Sequence, residues 1–264
     1  MSTVAYTPYR ISTITAVGNV NTVINLQKLF DLFTPTHNIV YMEYGKTKDI
    51  SNFKGIHPKN KIRKNKKKRF DNQSTVFIKF EDNTHVNMKI FKNGKIQMTG
   101  LKNINYGKVA INILIEYIKE LYKNNKDIVE DYEKINLSNY KICLINSDFR
   151  FNNKIKRDNL FKYIINNTKL VCSYEPCIYP GVKIQYFYNN YNNGICDCED
   201  YCENKNKNSK CTKITIAIFE SGCTIITGAK NLEQINTTYQ YIANLLTNNI
   251  SEFKKNIYKF KYKQ

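Results

Sequence analysis

Four cysteines crowd into the stretch CDCEDYCENKNKNSKC, at Cys196, Cys198, Cys202 and Cys211. Their spacing, C-x-C-x3-C-x8-C, offers the four thiolates of a tetrahedral zinc site, two from one turn and two from further along. It is not a standard finger spacing, so the residues leave three alternatives: one structural zinc, uncommitted thiols, or a disulfide pair. A closed site of four thiolates would tie down a loop and do no catalysis. Cys143, Cys172, Cys177 and Cys223 fall on predicted strands or loops with no histidine nearby in sequence, and read as small core or edge residues. His37, His57 and His85 form no metal or catalytic spacing, and the chain lacks a Walker loop, a G-x-G-x-x-G and a recognisable carboxylate pair. No enzyme is expected.

Charge points to a different chemistry. Lys plus Arg number 41 against 22 Asp plus Glu in 264 residues, a net +19. Such an excess selects polyanions, nucleic acid first and an acidic membrane surface second, because each neutralised phosphate releases counterions. Part of it follows from a composition crowded with Asn, Lys, Ile and Tyr, the residues AT-rich genomes favour. Cations are densest in KGIHPKNKIRKNKKKR, Lys54 to Arg69, which has too few apolar residues to fold by itself. That run reads as a solvated loop, as an arm reaching phosphates, or as a nuclear-import signal. No apolar run approaches the roughly 18 to 20 residues of a membrane span, and MSTVAYTPYRIST lacks a signal peptide's apolar stretch, so no membrane partner and a reducing, intracellular setting are expected.

The elements that must carry these residues come in two copies. IFKNGKIQMTGLKN, from Ile90, returns as IFESGCTIITGAKN, from Ile218, without a gap. Each copy follows an alternating segment, Val86, Met88 and Ile90 in one and Ile214, Ile216 and Ile218 in the other, then makes a Gly-containing hairpin turn. Each leads into a helix of roughly twenty residues: Ala110, Ile113, Leu114, Tyr117, Ile118 and Leu121 form one apolar face, and Ile235, Tyr239, Ile242 and Leu246 the other. A strand and a shorter helix precede each set, so each half reads strand, short helix, three strands, long helix. Two such halves make a pseudo-symmetric α+β protein, with helices on one face of an antiparallel sheet and the other face bare. Alternation then places Phe91, with His85, Asn87, Lys89, Lys95, Gln97 and Thr99, on the bare side of the first half, and Phe219, with Lys213, Thr215, Ala217, Ile225 and Thr227, on that of the second.

SYEPCIYPGVKIQY (Ser173 to Tyr186), followed by IFESGCTIITGAK, resembles the second repeat of the TATA-box-binding protein family, and ISTITAVGNVNTVINLQKLF resembles its opening strand and first helix. The likeness runs from about Tyr9 to about Phe253 and is of the divergent kind found in large DNA viruses. It implies a pseudo-twofold saddle, a curved antiparallel sheet with helices on its convex face. One repeat spans 9–125, with a basic insertion at about 54–72, and the other 139–255, with the Cys-rich insertion at about 189–211.

The resemblance also implies binding and bending of AT-rich promoter DNA through the minor groove, for which this family is the standard case of inserted wedges. The wedges would be Phe91 and Phe219, with Tyr179 at the second stirrup and Phe70, preferred over Phe53, at the first. Further DNA contacts are assigned to Lys79, Lys89, Lys95, Gln97, Thr99, Asn146, Ile225 and Thr227. The family's paired central asparagines are matched here by Tyr9 and Leu144, with Asn146 one step along, and Lys89 and Gln97 stand where apolar residues are usual. Glu175 and Ile178 match positions that meet a transcription factor IIB-like partner, with RNA polymerase beyond it. A monomer is implied, working in the nucleus or, for a virus, in a cytoplasmic factory or virion. The alternative is a protein-interaction platform that keeps the fold with weak or no DNA binding.

Overall fold

The computed structural model of the chain describes residues 6–45, 52–59, 71–198 and 211–255. Phe70, Cys202 and most of the cationic run lie outside them. The chain divides into two units, Thr13–Cys143 and the combination of Met1–Ser12 with Leu144–Gln264. In chain order the elements are β1 (Arg10–Asn19), α1 (Leu26–Leu32), β2 (Ile39–Glu43), β3 (Phe53–Gly55), β4 (Gln73–Lys79), β5 (His85–Phe91), β6 (Lys95–Leu101) and α2 (Tyr106–Tyr122). There follow β7 (Ser138–Arg150), α3 (Arg157–Asn167), β8 (Val171–Ser173), β9 (Val182–Tyr188), β10 (Thr212–Ile218), β11 (Cys223–Ala229), α4 (Leu232–Asn248) and α5 (Ile250–Phe253).

The first unit orders its strands β3-β2-β4-β5-β6-β1 and the second β7-β11-β10-β9-β8. Every pair is antiparallel. This corrects the expectation of three strands between the helices of each half. β2 and β8 are added, and β3 forms at the start of the stretch read as a solvated loop. It is too short to show a period, and what anchors it is the Phe53 ring stacked 5.9 Å from Tyr41.

The doubled motif has a steric cause. Gly94 and Gly222 close the two hairpins with φ of +78° and +82°. A Cβ on Gly94 would stand 2.4 Å from the Thr22 carbonyl oxygen, and one on Gly222 2.2 Å from that of Phe151. In both units the chain leaving the first strand crosses the hairpin turn, Val20 N–H donating to the Gly94 carbonyl and Phe151 N–H to that of Gly222. Only glycine fits the conformation and the crossing together. Each Thr-Gly pair then makes a β-bulge, Thr99-Gly100 against β1 and Thr227-Gly228 against β7, where two residues oppose one. The closing Asn231 caps α4, its side chain accepting from Gln234 N–H at 2.9 Å.

Burial falls on one side of each sheet. Val86, Met88, Ile90, Ile96 and Met98 in the first unit, and Ile214, Ile216, Ile218 and Ile226 in the second, are at most 1% exposed. Each such side chain contributes about 1.5–3 kcal/mol by leaving water. On α4 the expected residues Ile235, Ile242 and Leu246 are buried, with Tyr239 half-buried. On α2 the stripe is displaced from the expected one. Ile111 and Ile115 go under, while Ile113, Tyr117 and Leu121 stay half-buried. Gly18 explains the turn of the helix: Ile111 Cδ1 lies 2.7 Å from where a Gly18 Cβ would be, so the missing side chain admits it. Tyr117 instead reaches the end of α1, where its hydroxyl accepts from Thr34 N–H at 2.9 Å.

Candidate nucleic-acid interface

The faces of each sheet follow from strand register. Ile90 pairs with Ile96 and Ile96 with Gly18, which lies against Ile111 of α2, so the residues between them point away from the helix. On that helix-free side of the first unit, Thr75, Lys89, Gln97 and Val17 form one rung, and Phe77, Asn87 and Thr99 the next. Phe91 closes the end of β5 opposite Gln73 and is half-buried. Lys79 stands opposite His85, and Lys95, exposed, opposite Asn19.

In the second unit the ring contact of Tyr186 with Tyr241 of α4, 5.1 Å between centroids, marks the helix side of β9. The opposite side carries the rungs Gln185, Thr215, Thr227 and Lys183, Ala217, Ile225, Asp148. Thr227 therefore stands where Thr99 stands in the other unit, Ile225 where Gln97 does, and Ala217 where Lys89 does. Phe219 follows β10, half-buried, with the Tyr179 ring 5.7 Å away. Gly181 permits this approach, since a Cβ there would meet Tyr179 at 2.8 Å and Phe219 at 3.2 Å. The Lys183 ammonium lies 4.2 Å from the Tyr179 ring centroid, a cation–π contact that brings positive charge to the pair.

Asn146 lies on this helix-free side between buried Ile145 and Ser147, facing the Thr227-Gly228 bulge. Its Oδ1 is buried with no hydrogen-bond partner among the described residues. The Tyr9 ring, half-buried, packs 5.1 Å from Tyr239 of α4. Phe53 is 49% exposed on the edge strand, and Phe70 and Cys202 fall outside the described residues.

Several residues here were not singled out from sequence. Lys183 and Gln185 could have been found by following the alternation of VKIQYFY. Asp148 shares their face, its carboxylate accepting from Arg10 Nε at 2.8 Å and Ser12 Oγ at 2.5 Å. His57 gave no signal at all. Its ring packs 4.8 Å from Phe77 and 5.1 Å from Tyr41, so the segment after β3 lies over the outer helix-free face of the first unit and buries both.

The stirrup of the second unit presents Glu175, Cys177 and Ile178 to solvent, Ile178 at 79% exposure, on a turn in which Ile178 and Tyr179 N–H donate to the Glu175 carbonyl. Arg157 clasps this turn, donating to the Pro180 carbonyl at 2.5 Å and pairing with Glu220 at 3.3 Å. Lys255 holds the other Glu220 oxygen at 2.6 Å. The Lys255 hydrogen bond and charge, and then Arg157, keep the Glu220 carboxyl below its usual range. A depressed carboxylate contributes above its ordinary value and loses that contribution as pH falls through the lowered one. Amide protection of residues 175–181 in hydrogen exchange is therefore expected to fall in that acid range. In Glu220→Gln it should be low already at neutral pH and flat with acid; an unchanged acid profile would remove Glu220 from the clasp.

The cysteines divide as their surroundings dictate. Burial pushes the Cys172 thiol up to about 12, which suits an inert edge residue. The sulfurs of Cys196, Cys198 and Cys211 lie within 4.8 Å of one another, a group that can hold a metal ion. Burial, and then its hydrogen bond to Asp197, pushes the Cys211 thiol up.

A family model for transcription factor TFIID (or TATA-binding protein, TBP) matches residues 153–249. The TATA-box-binding protein-like protein of Acanthamoeba polyphaga mimivirus is 31% identical over 269 residues, which cover 93% of this chain and 66% of that protein. TATA-box-binding protein 2 of Entamoeba histolytica is 25% identical over 163 residues, 62% of this chain and 59% of that one. The chain thus spans 66% and 59% of the length of these two curated relatives. Among solved structures, Methanococcus jannaschii TBP superposes with a TM-score of 0.53 at 16% identity, covering 92% of this chain and 99% of that one, which shows a shared fold. With the doubled hairpin, its bulges and the helix-free faces, these likenesses place the chain in the TATA-box-binding protein family, as a divergent member.

Proposed function

We propose that the chain is a transcription factor that binds double-stranded DNA in the minor groove and bends it. The observation that carries this reading is the placement of Phe91 and Phe219. Phe91 ends β5 and Phe219 directly follows β10, the matching strands of the doubled hairpin, on the side the helix leaves free, and neither ring is fully buried in the core. A half-buried aromatic ring at such a position can enter a base step and unstack it, at a cost of a few kcal/mol per step, offset by the wider contact a bent groove makes. Lys89, Lys95 and Lys183 supply charge for the phosphates, and Gln97, Thr99 and Thr227 hydrogen-bonding groups for sugar and base edges. The exposed turn at Glu175 and Ile178 is the docking point for a factor IIB-like partner and, through it, a polymerase.

A second reading has an observation of its own. The cover of His57 over Tyr41 and Phe77 removes part of the first unit's free face, as a protein-interaction platform without DNA binding would tolerate.

The deciding experiment uses the full chain and AT-rich and GC-rich duplexes carrying a dye at each end, at two salt concentrations. Energy transfer should rise on binding the AT-rich duplex, and log affinity should fall with log salt by roughly 0.9 per phosphate neutralised. A saturated duplex with unchanged transfer, or no binding at low salt, would favour the platform.

A further inference from the structure

The connection between β9 and β10 gathers soft ligands where the DNA reading requires none. Cys211 ends this connection and is 9% exposed. Its sulfur lies 3.7 Å from that of Cys198, and Cys196 completes a triangle whose sulfurs are all within 4.8 Å. Four sulfurs about 2.3 Å from a central zinc stand at tetrahedral edges of about 3.8 Å. A disulfide needs about 2.05 Å, so Cys198 and Cys211 are not a bonded pair, and their 3.7 Å separation is close to that tetrahedral edge.

The surroundings are those of a held site. Asn189, 6% exposed, donates from Nδ2 to the Ile195 carbonyl at 2.8 Å and to Cys211 Sγ at 3.6 Å. Its Oδ1 accepts from Tyr191 N–H at 3.1 Å. One buried amide therefore fixes the turn that carries Cys196 and Cys198 and orients the third sulfur, as outer-shell donors do around metal ligands. Asp197 Oδ1 accepts from Cys211 Sγ at 2.9 Å, a proton that an incoming cation would release to solvent with those of the other thiols.

We infer that Cys196, Cys198 and Cys211 bind one thiophilic divalent ion, zinc in the cell, which pins the β9–β10 connection to the strand ends remote from Phe219. Thiolates select zinc, cobalt or cadmium over magnesium and calcium. The remoteness follows from register, since Thr212 pairs with Tyr188 at one end of the strands and Ile218 with Val182 at the other. The site is structural: it sets the connection and leaves the wedge end of β10 unchanged. It does not depend on DNA binding, so each reading can fail alone.

The test titrates the full chain, reduced and metal-free, with cobalt(II). One equivalent should give sulfur-to-cobalt charge-transfer absorption and the intense visible bands of a tetrahedral site, both erased by zinc. Cys211→Ser and Cys196→Ser should each weaken cobalt binding at least tenfold, while Cys223→Ser, outside the cluster, should match the wild type. Cys196 lies on the connection rather than on a strand, so its variant keeps the measurement interpretable should Cys211→Ser misfold. Native mass spectrometry should show one zinc per chain, and its chelation should speed proteolysis between residues 198 and 211. Absence of cobalt binding by the reduced chain, or retention of it in a Cys196→Ser, Cys198→Ser, Cys211→Ser triple variant, would overturn the site.

Discussion

Changing Phe91 and Phe219 together to alanine is expected to leave an AT-rich duplex straight while the protein stays folded. Both rings are half-buried on helix-free faces, so their loss opens no core cavity. The main internal contact given up is that of Phe219 with Tyr179, 5.7 Å between centroids, worth about 0.5–1.5 kcal/mol for an aromatic pair. On DNA the effect is far larger. Bending a site by 40–90° costs on the order of 1–6 kcal/mol, and without wedges nothing stabilises the unstacked steps where the bend concentrates. Affinity for the AT-rich duplex should fall about a hundredfold or more, to the level the lysines sustain alone, and end-to-end energy transfer should match that of free DNA. Transfer equal to that of the wild type at saturation would show that the bend does not depend on these rings.

The second large effect concerns the hairpin itself. Gly222→Ala should destabilise the chain by roughly 2–5 kcal/mol, because it combines a left-handed conformation, about 1–2 kcal/mol for a residue with a Cβ, with an overlap that forces backbone to move, about 1–3 kcal/mol. The obstacle is carbonyl oxygen, 2.2 Å from the added carbon at Phe151 and 2.7 Å at Asn153, and backbone cannot rotate aside as a side-chain tip can. Gly94→Ala should behave alike, with Thr22 at 2.4 Å. Gly45 supplies the comparison: its φ is +89°, yet among the described residues nothing lies within 4 Å of an added Cβ. Gly45→Ala should therefore lose only the conformational part, about 1–2 kcal/mol. Urea midpoints of the three variants measure the difference. Equal losses at Gly222 and Gly45 would mean that the crossing at the turn has no cost.

These two results probe the features most legible in the residues. The alternation of β5 and β10 and the doubled turn could be read directly, because side-chain direction in a strand has a period of two and a turn glycine answers to local backbone geometry. Phe91 and Phe219 are placed by that argument alone, and so are Lys89, Gln97, Thr99 and Thr227. The helix faces were less legible. The α2 stripe predicted over Ile113, Tyr117 and Leu121 moves to Ile111 and Ile115 because of Gly18, which is 93 residues earlier in the chain and has no side chain to announce itself.

Residue type and spacing by themselves determined the repeat, the α+β class, the side of the sheet on which Phe91 and Phe219 stand, and the gathering of cysteines before β10. Tertiary structure alone decided that Tyr9 packs on Tyr239, that His57 lies over Phe77 and Tyr41, that Lys183 meets Tyr179, and that three sulfurs gather within 4.8 Å of one another. The division has one physical reason. Local periodicity is set by covalent geometry and steric contact between near neighbours, whereas these pairings join segments distant in the chain, whose meeting depends on how whole elements pack.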